Sequence, residues 1–290
     1  MSTRGEQSTV ARPVSKRGIG LHTGEKCAVA LLPAEPNAGV VFVCGGGEEV
    51  PATAEYVVGT ERGTTLGSGK ARVGAVEHLL GALYGMGVDN ARVEVRGPEV
   101  PACDGSAQEW VDLLRESGQR RLGVGREVGK LREGVWAGDG AAWAVAMPGA
   151  GGLSLAVGVE YEGTAVGRQT LWLRLTRGRF MRELAPARTF ALTEELETLR
   201  EAGLARGGGK ENAFAVGRGG YSGPLRFADE VVRHKTLDLV GDLALCGWRF
   251  EGQVVAVRPS HRVNAALARG VRAALAKEST RRAGGEERAR

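Results

Sequence analysis

The sequence predicts an α+β protein made of two similar domains that face one another. Three observations carry this expectation. A helix–strand–helix order over residues 73–117 returns over residues 229–276. The two strands concerned end in similar words, Val95-Arg96-Gly97-Pro98 and Val257-Arg258-Pro259. Between the halves, residues 118–134 are rich in Gly and charge, as a linker would be. The expected domains are residues 1–122 and 126–277, with a disordered tail over residues 278–290.

Each element has its own signal. Residues 28–32 and 40–43 are apolar runs of strand length. Residues 73–84 have helical periodicity and residues 91–95 alternate as a strand does. Ser106 and Glu109 stand at capping-box spacing, so Ser106 reads as the start of a second helix rather than as a nucleophile. Residues 142–147 and 153–161 are strand-like. The uncharged stretch 140–159 around them contains five glycines and Pro148, which favours two strands around a turn over a membrane span. Helices are expected at 194–202, 229–245 and 263–276, with a strand at 252–257.

Composition narrows the function. With 42% hydrophobic and 25% charged residues, the 290-residue chain has the make-up of a globular protein with a large core. Its net charge of +5 favours anionic partners. Part of that excess sits in the last residues (Arg281, Arg282, Arg288, Arg290), and no basic stripe is interleaved with aromatics, so nucleic acid is not an expected partner. Cys27, Cys44, Cys103 and Cys246 form no C-x-x-C pair and read as reduced, small core residues. Residues 1–16 lack the apolar core of a signal peptide, and a cytoplasmic location is expected. Gly18-Ile19-Gly20 leads into a strand rather than a helix, so it is no dinucleotide fingerprint.

The chemistry gathers in three words. In His234-Lys235-Thr236-Leu237-Asp238 the imidazole and the carboxylate are four apart, on one helical face, where they can share a cation. Asp242 continues that face and is expected to orient His234. Alone, the spacing favours a surface His–Asp pair on a solvated helix. In Val76-Glu77-His78-Leu79-Leu80, two ionisable groups sit within an apolar helix, where an unpaired charge is costly. Together the helices supply His78, His234 and Asp238, the ligand set of an open catalytic zinc site, with Glu77 beside them as a general base. Ser260-His261-Arg262 follows a strand and offers His261 as a general acid, while Lys235 adds charge near a developing oxyanion. The fourth histidine, His22, falls in a Gly-rich turn. Two His and one Asp also suit an Fe2+ facial triad for oxygen chemistry. Glu77 beside a ligand, and the lack of a jelly-roll pattern of short strands, weigh against it. A non-catalytic nucleotide-sugar binder is the other alternative.

These words, together with Gly18-Ile19-Gly20-Leu21-His22-Thr23-Gly24, Thr64-Thr65-Leu66, Asp104-Gly105-Ser106-Ala107, Ala187-Arg188-Thr189-Phe190 and Gly241-Asp242-Leu243, span nearly the whole chain. It closely resembles the UDP-3-O-acyl-N-acetylglucosamine deacetylases of bacterial lipid A synthesis. The resemblance implies two layered sandwiches, each a β-sheet with a helix pair, small inserts in each domain and an active site at the domain interface. It implies Zn2+ (Fe2+ fits the same ligands) held by His78, His234 and Asp238. It further implies Glu77 as base, His261 as acid or electrostatic stabiliser, and Lys235, Asp242 and Thr189 around the reaction centre, with Phe190 contacting substrate. The substrate implied is a UDP-activated acylated amino sugar, its acyl chain taken up by a β-α-β insert near residues 191–217. No stable membrane insertion is expected, and transient contact with a membrane surface is compatible with such a substrate. The chain departs from the family at Gly74-Ala75, Ala142, Lys210 and Ser260. Arg258 is expected to bind phosphate in place of the lysine that Ala142 replaces.

Overall fold

The computed structural model describes residues 2–287, with side chains over residues 5–278. Strand β1 (Ser2–Val10) precedes an antiparallel hairpin of β2 (Val14–Ile19) and β3 (Lys26–Leu32), then β4 (Val40–Val43) and β5 (Glu49–Pro51). A small meander of β6 (Val57–Gly59), β7 (Thr65–Ser68) and β8 (Ala71–Val73) leads to α1 (Glu77–Met86), β9 (Ala91–Arg96) and α2 (Gln108–Ser117). The long β10 (Gln119–Lys130) crosses to the second half, where β11 (Val135–Asp139), β12 (Ala142–Met147), β13 (Leu153–Tyr161) and β14 (Gly167–Arg174) follow. A helical turn, α3 (Arg177–Arg179), is followed by β15 (Phe190–Leu192), α4 (Leu196–Glu201), β16 (Phe214–Gly217) and β17 (Gly220–Tyr221). The chain closes with α5 (Glu230–Ala244), β18 (Arg249–Val257) and α6 (His261–Glu287).

The two halves share one plan, as the repeated element order suggests. The first sheet runs β2-β3-β9-β4-β5, and the second contains β11-β12-β18-β13-β14. In each, the strand between the two helices is central. It is antiparallel to one hairpin (β9 with β3, β18 with β12) and parallel to the other (β9 with β4, β18 with β13). Strand alternation turns Val29, Leu31, Val93 and Val95 inward in one half and Ala144, Leu155, Val254 and Ala256 in the other, all buried. The helix pairs α1–α2 and α5–α6 pack on these faces, and α1 meets α5 between the halves. That contact places the first turn of α1 beside the middle of α5.

Several expectations need correction. The segment expected as a linker is mostly strand: β10 pairs antiparallel with β1 and parallel with β18. Most of its side chains are exposed or half-buried, so it shows no apolar period to read. A division at residue 122 falls inside this strand, and Ser2–Val10 joins the second half's sheet. The helix expected from residue 73 starts at Glu77, because Val73 ends β8 and Ala75 has φ 54°. No capping box forms at Ser106. Its hydroxyl donates to Asp104 Oδ1 at 2.7 Å and accepts the Gln108 N–H at 3.1 Å, while Glu109 pairs with Lys16. Helix α6 runs to Glu287, where a disordered tail was expected from residue 278; residues 288–290 lie outside the described residues. The insert is a β-α-β unit, with β15 parallel to β16 across α4. Among the described residues, no helix is long and apolar enough to cross a membrane.

Candidate active site

Glu77 is the first residue of α1, and its Oε2 accepts the Thr64 N–H at 2.9 Å. His78 follows it. From α5, His234 and Asp238 project one turn apart, as their spacing requires. Two glycines let these helices meet: a side chain at Gly241 would fall 2.0 Å from the Glu77 carbonyl oxygen, and one at Gly81 would fall 3.1 Å from Leu237 Cδ1. Their approach puts His78 Nε2 and His234 Nε2 each 3.4 Å from Asp238 Oδ1. The two rings stand edge to face, 5.0 Å between centroids.

One atom from each of these three residues lies within 4.8 Å of the others. Asp238 Oδ1 is buried without a hydrogen-bond partner, an arrangement costly in a core and relieved by a cation. Burial pushes the His234 pKa down to about 4, leaving the neutral ring that metal ligation needs. Burial alone would neutralise Asp238, but His234 and Lys235 hold its carboxyl well below the usual carboxylate range. The donor set therefore fits a divalent metal ion. The other carboxylate oxygen of Asp238 accepts Lys235 Nζ at 2.8 Å, and this contact keeps the buried ammonium charged despite desolvation.

His261 opens α6 across the site, its Nδ1 2.9 Å from Asp242 Oδ2. Burial opposes charge on this ring, yet Asp242 raises its pKa to about 9. Asp242 does not orient His234, as was expected. Eight residues along a helix leave an offset of roughly 80°, which turns Asp242 toward α6, and His234 Nδ1 instead lies 3.2 Å from the Ala187 carbonyl. Asp242 is itself fixed by Thr64 Oγ1 at 2.6 Å and Asn264 Nδ2 at 3.0 Å.

Glu77, His78, His234, Lys235, Asp238 and His261 line one cavity of about 360 Å³, together with Thr189 and Phe190. Tyr161, Leu192 and Leu21 supply an apolar wall. Arg258 is not among its lining residues. It is exposed, in a left-handed turn at φ 51°, beside an adjoining cavity that it shares with Ala142. Of the other departures, Ser260 lines the catalytic cavity, whereas Lys210 is exposed and does not.

Two residues escaped the sequence reading. Thr64 joins Glu77 to Asp242 through its N–H and hydroxyl, a role that no local spacing signals. His22 lies near Glu77, both side chains facing Gly63, and its Nδ1 is buried without a hydrogen-bond partner. The turn that carries it is held by Glu99, which accepts the His22 and Thr23 N–H groups at 3.2 and 2.7 Å. An unpaired histidine in a word shared with a family was the available signal.

The profile of the UDP-3-O-acyl N-acetylglycosamine deacetylase family matches residues 7–273. The chain belongs to this family. It is 42% identical to the UDP-3-O-acyl-N-acetylglucosamine deacetylase of Anaeromyxobacter dehalogenans, over 97% of this chain and 92% of that protein. It is 40% identical to the enzyme of that name from a Nostoc species, over 92% and 98% of the two chains, and 41% identical to that of Myxococcus xanthus, over 91% and 86%.

Proposed function

We propose that this protein hydrolyses the N-acetyl group of UDP-3-O-(3-hydroxyacyl)-N-acetylglucosamine. The products are acetate and UDP-3-O-(3-hydroxyacyl)-glucosamine, in the committed step of lipid A biosynthesis in the cytoplasm. The observation that carries the reading is the convergence of His78, His234 and Asp238 beside Glu77, with His261 on the opposite helix. Those three residues would hold a zinc ion, which would supply positive charge and Lewis acidity at the reaction centre.

The chain's own groups divide the remaining work. Glu77 accepts a proton from the attacking water. The protonated His261 faces the developing negative charge and then gives its proton to the departing amine. Asp242 holds that ring in place and favours its charged form. Lys235 and Thr189, which line the same cavity, stabilise the oxyanion formed as the amide carbonyl is attacked. Phe190, Tyr161 and Leu192 offer the apolar surface an acyl chain requires, next to the insert.

The test is Glu77→Ala beside His78→Ala, with acetate release and bound metal both measured. Glu77→Ala is expected to keep its metal and lose roughly 10²–10⁴-fold in rate, and His78→Ala to lose metal as well. Full activity in Glu77→Ala would remove the base from the mechanism.

A further inference from the structure

The second half's sheet has two unlike faces. Its inner face packs against α5 and α6. Residues directly paired on neighbouring strands project to the same side, so the register aligns Trp136, Val145, Val255, Ala156 and Trp172 in one row across five strands of the outer face. The adjacent row contains Gly138, Trp143, Val257 and Gly158. Trp136 and Trp172 are 68% and 66% exposed, although large rings are usually buried. A side chain at Gly138 would meet the Trp136 ring, so that indole lies along its own strand. Arg168 and Arg174 flank Trp172 on the same side of β14. Arg168 pairs with Glu160, whereas Arg174 has no carboxylate within ion-pair distance among the described residues.

We propose that this face rests on the surface of an anionic lipid bilayer and so brings the catalytic cavity to an acylated substrate. The proposal rests on the deacetylase reading for that substrate. Indoles combine an apolar ring with a polar N–H and favour the boundary between headgroups and acyl chains. Arg174 and the net charge of +5 complement anionic headgroups. The face also leads into the cavity: Tyr161 ends β13, Pro259 and Ser260 follow β18, and all three line it. The insert is tied to the same hairpin, the Ala165 N–H donating to the Gly217 carbonyl at 2.9 Å and the Tyr221 hydroxyl to the Ala165 carbonyl at 3.2 Å. A second copy of the chain fits less well. Five strands spaced about 4.8 Å apart make a strip roughly 19 Å wide, and two rows, two residues apart along each strand, make it about 7 Å long. Its area of about 130 Å² is well below the ~800 Å² per partner of a stable protein interface.

The test uses the metal-loaded full chain, wild type and the double variant Trp136→Ala/Trp172→Ala, co-sedimented with phosphatidylglycerol-containing or pure phosphatidylcholine vesicles. Wild type is expected to sediment with the anionic vesicles, less so as salt rises. The variant should lose about tenfold or more in partitioning, while hydrolysing a short-acyl soluble substrate as wild type does. Absence of wild-type binding, equal binding by the variant, or a dimer in sedimentation analysis that the two substitutions dissociate would each overturn the proposal. Acetate release from the soluble substrate is read separately, so loss of vesicle binding by wild type with hydrolysis intact condemns this surface and leaves the deacetylase reading standing.

Discussion

Helices α1 and α5 serve one site but are secured in different ways. Beyond Glu77 and His78, α1 is apolar all round, with Leu79, Leu80, Leu83 and Met86 buried. Its neighbour α5 is just as buried, yet it carries Glu230, His234, Asp238 and Asp242 into the interior. Each of these carboxylates has an assigned partner: Glu230 with Arg188, Asp238 with Lys235, Asp242 with His261 and Thr64. An apolar helix can be held by area alone. A polar one requires a partner for every charge, and so its stability depends on pH.

The largest expected effect follows from that dependence. Glu230 accepts two hydrogen bonds from the Arg188 guanidinium, at 2.9 and 3.1 Å, and the backbone N–H groups of Arg188 and Arg226. Burial opposes its charge, but these partners hold its pKa below the ordinary carboxyl value. Glu230→Gln leaves Arg188 unpaired and is expected to cost about 3–5 kcal/mol at neutral pH. Because the folded pKa is depressed, this stabilisation is complete above the unfolded value of about 4.3 and is lost as pH falls through the folded one. Denaturant melts from pH 7 downward should therefore show wild type and variant converging in acid. A gap that stays constant would mean the charge on Glu230 contributes nothing.

Next in size is the matching lesion in α1. Leu83→Ala removes buried volume and should cost about 3 kcal/mol with little change in that cost over the same pH range. If it narrows in acid as Glu230→Gln does, the contrast between the helices fails.

How much of this was legible in the sequence depends on the range of the interaction. The His234–Asp238 pair on α5 could be read because helical geometry fixes neighbours four residues apart, and Glu77-His78 stood out as charge in an apolar run. The repeated helix–strand–helix order likewise disclosed the two-half plan. Asp242 was read against the wrong histidine because its true partners, His261 and Thr64, come from other elements, Thr64 from 178 residues away. Strand β10 was missed for a related reason: its place is set by pairing with β1 and β18, and its polar surface leaves no periodic trace. Arg258 follows its strand as expected, but a left-handed turn carries it past the catalytic cavity.

The smallest effects test the contact between the helices. Gly241→Ala would place a methyl group 2.0 Å from a backbone oxygen of α1 that has little room to move. The helices must separate, carrying Glu77 and His78 away from Asp238. The expected result is a loss of about 1–3 kcal/mol and of about 10²-fold in rate, as for an angstrom-scale misplacement. Gly81→Ala meets only the end of the Leu237 side chain, at 3.1 Å, which can turn aside. The helix propensity gained over glycine, about 1 kcal/mol, offsets the crowding, so melting temperature and rate should stay close to wild type. Equal losses of rate in the two variants would show that the helices shift as a pair, and that Gly241 has no special part in setting the distance from Glu77 to His234 and Asp238.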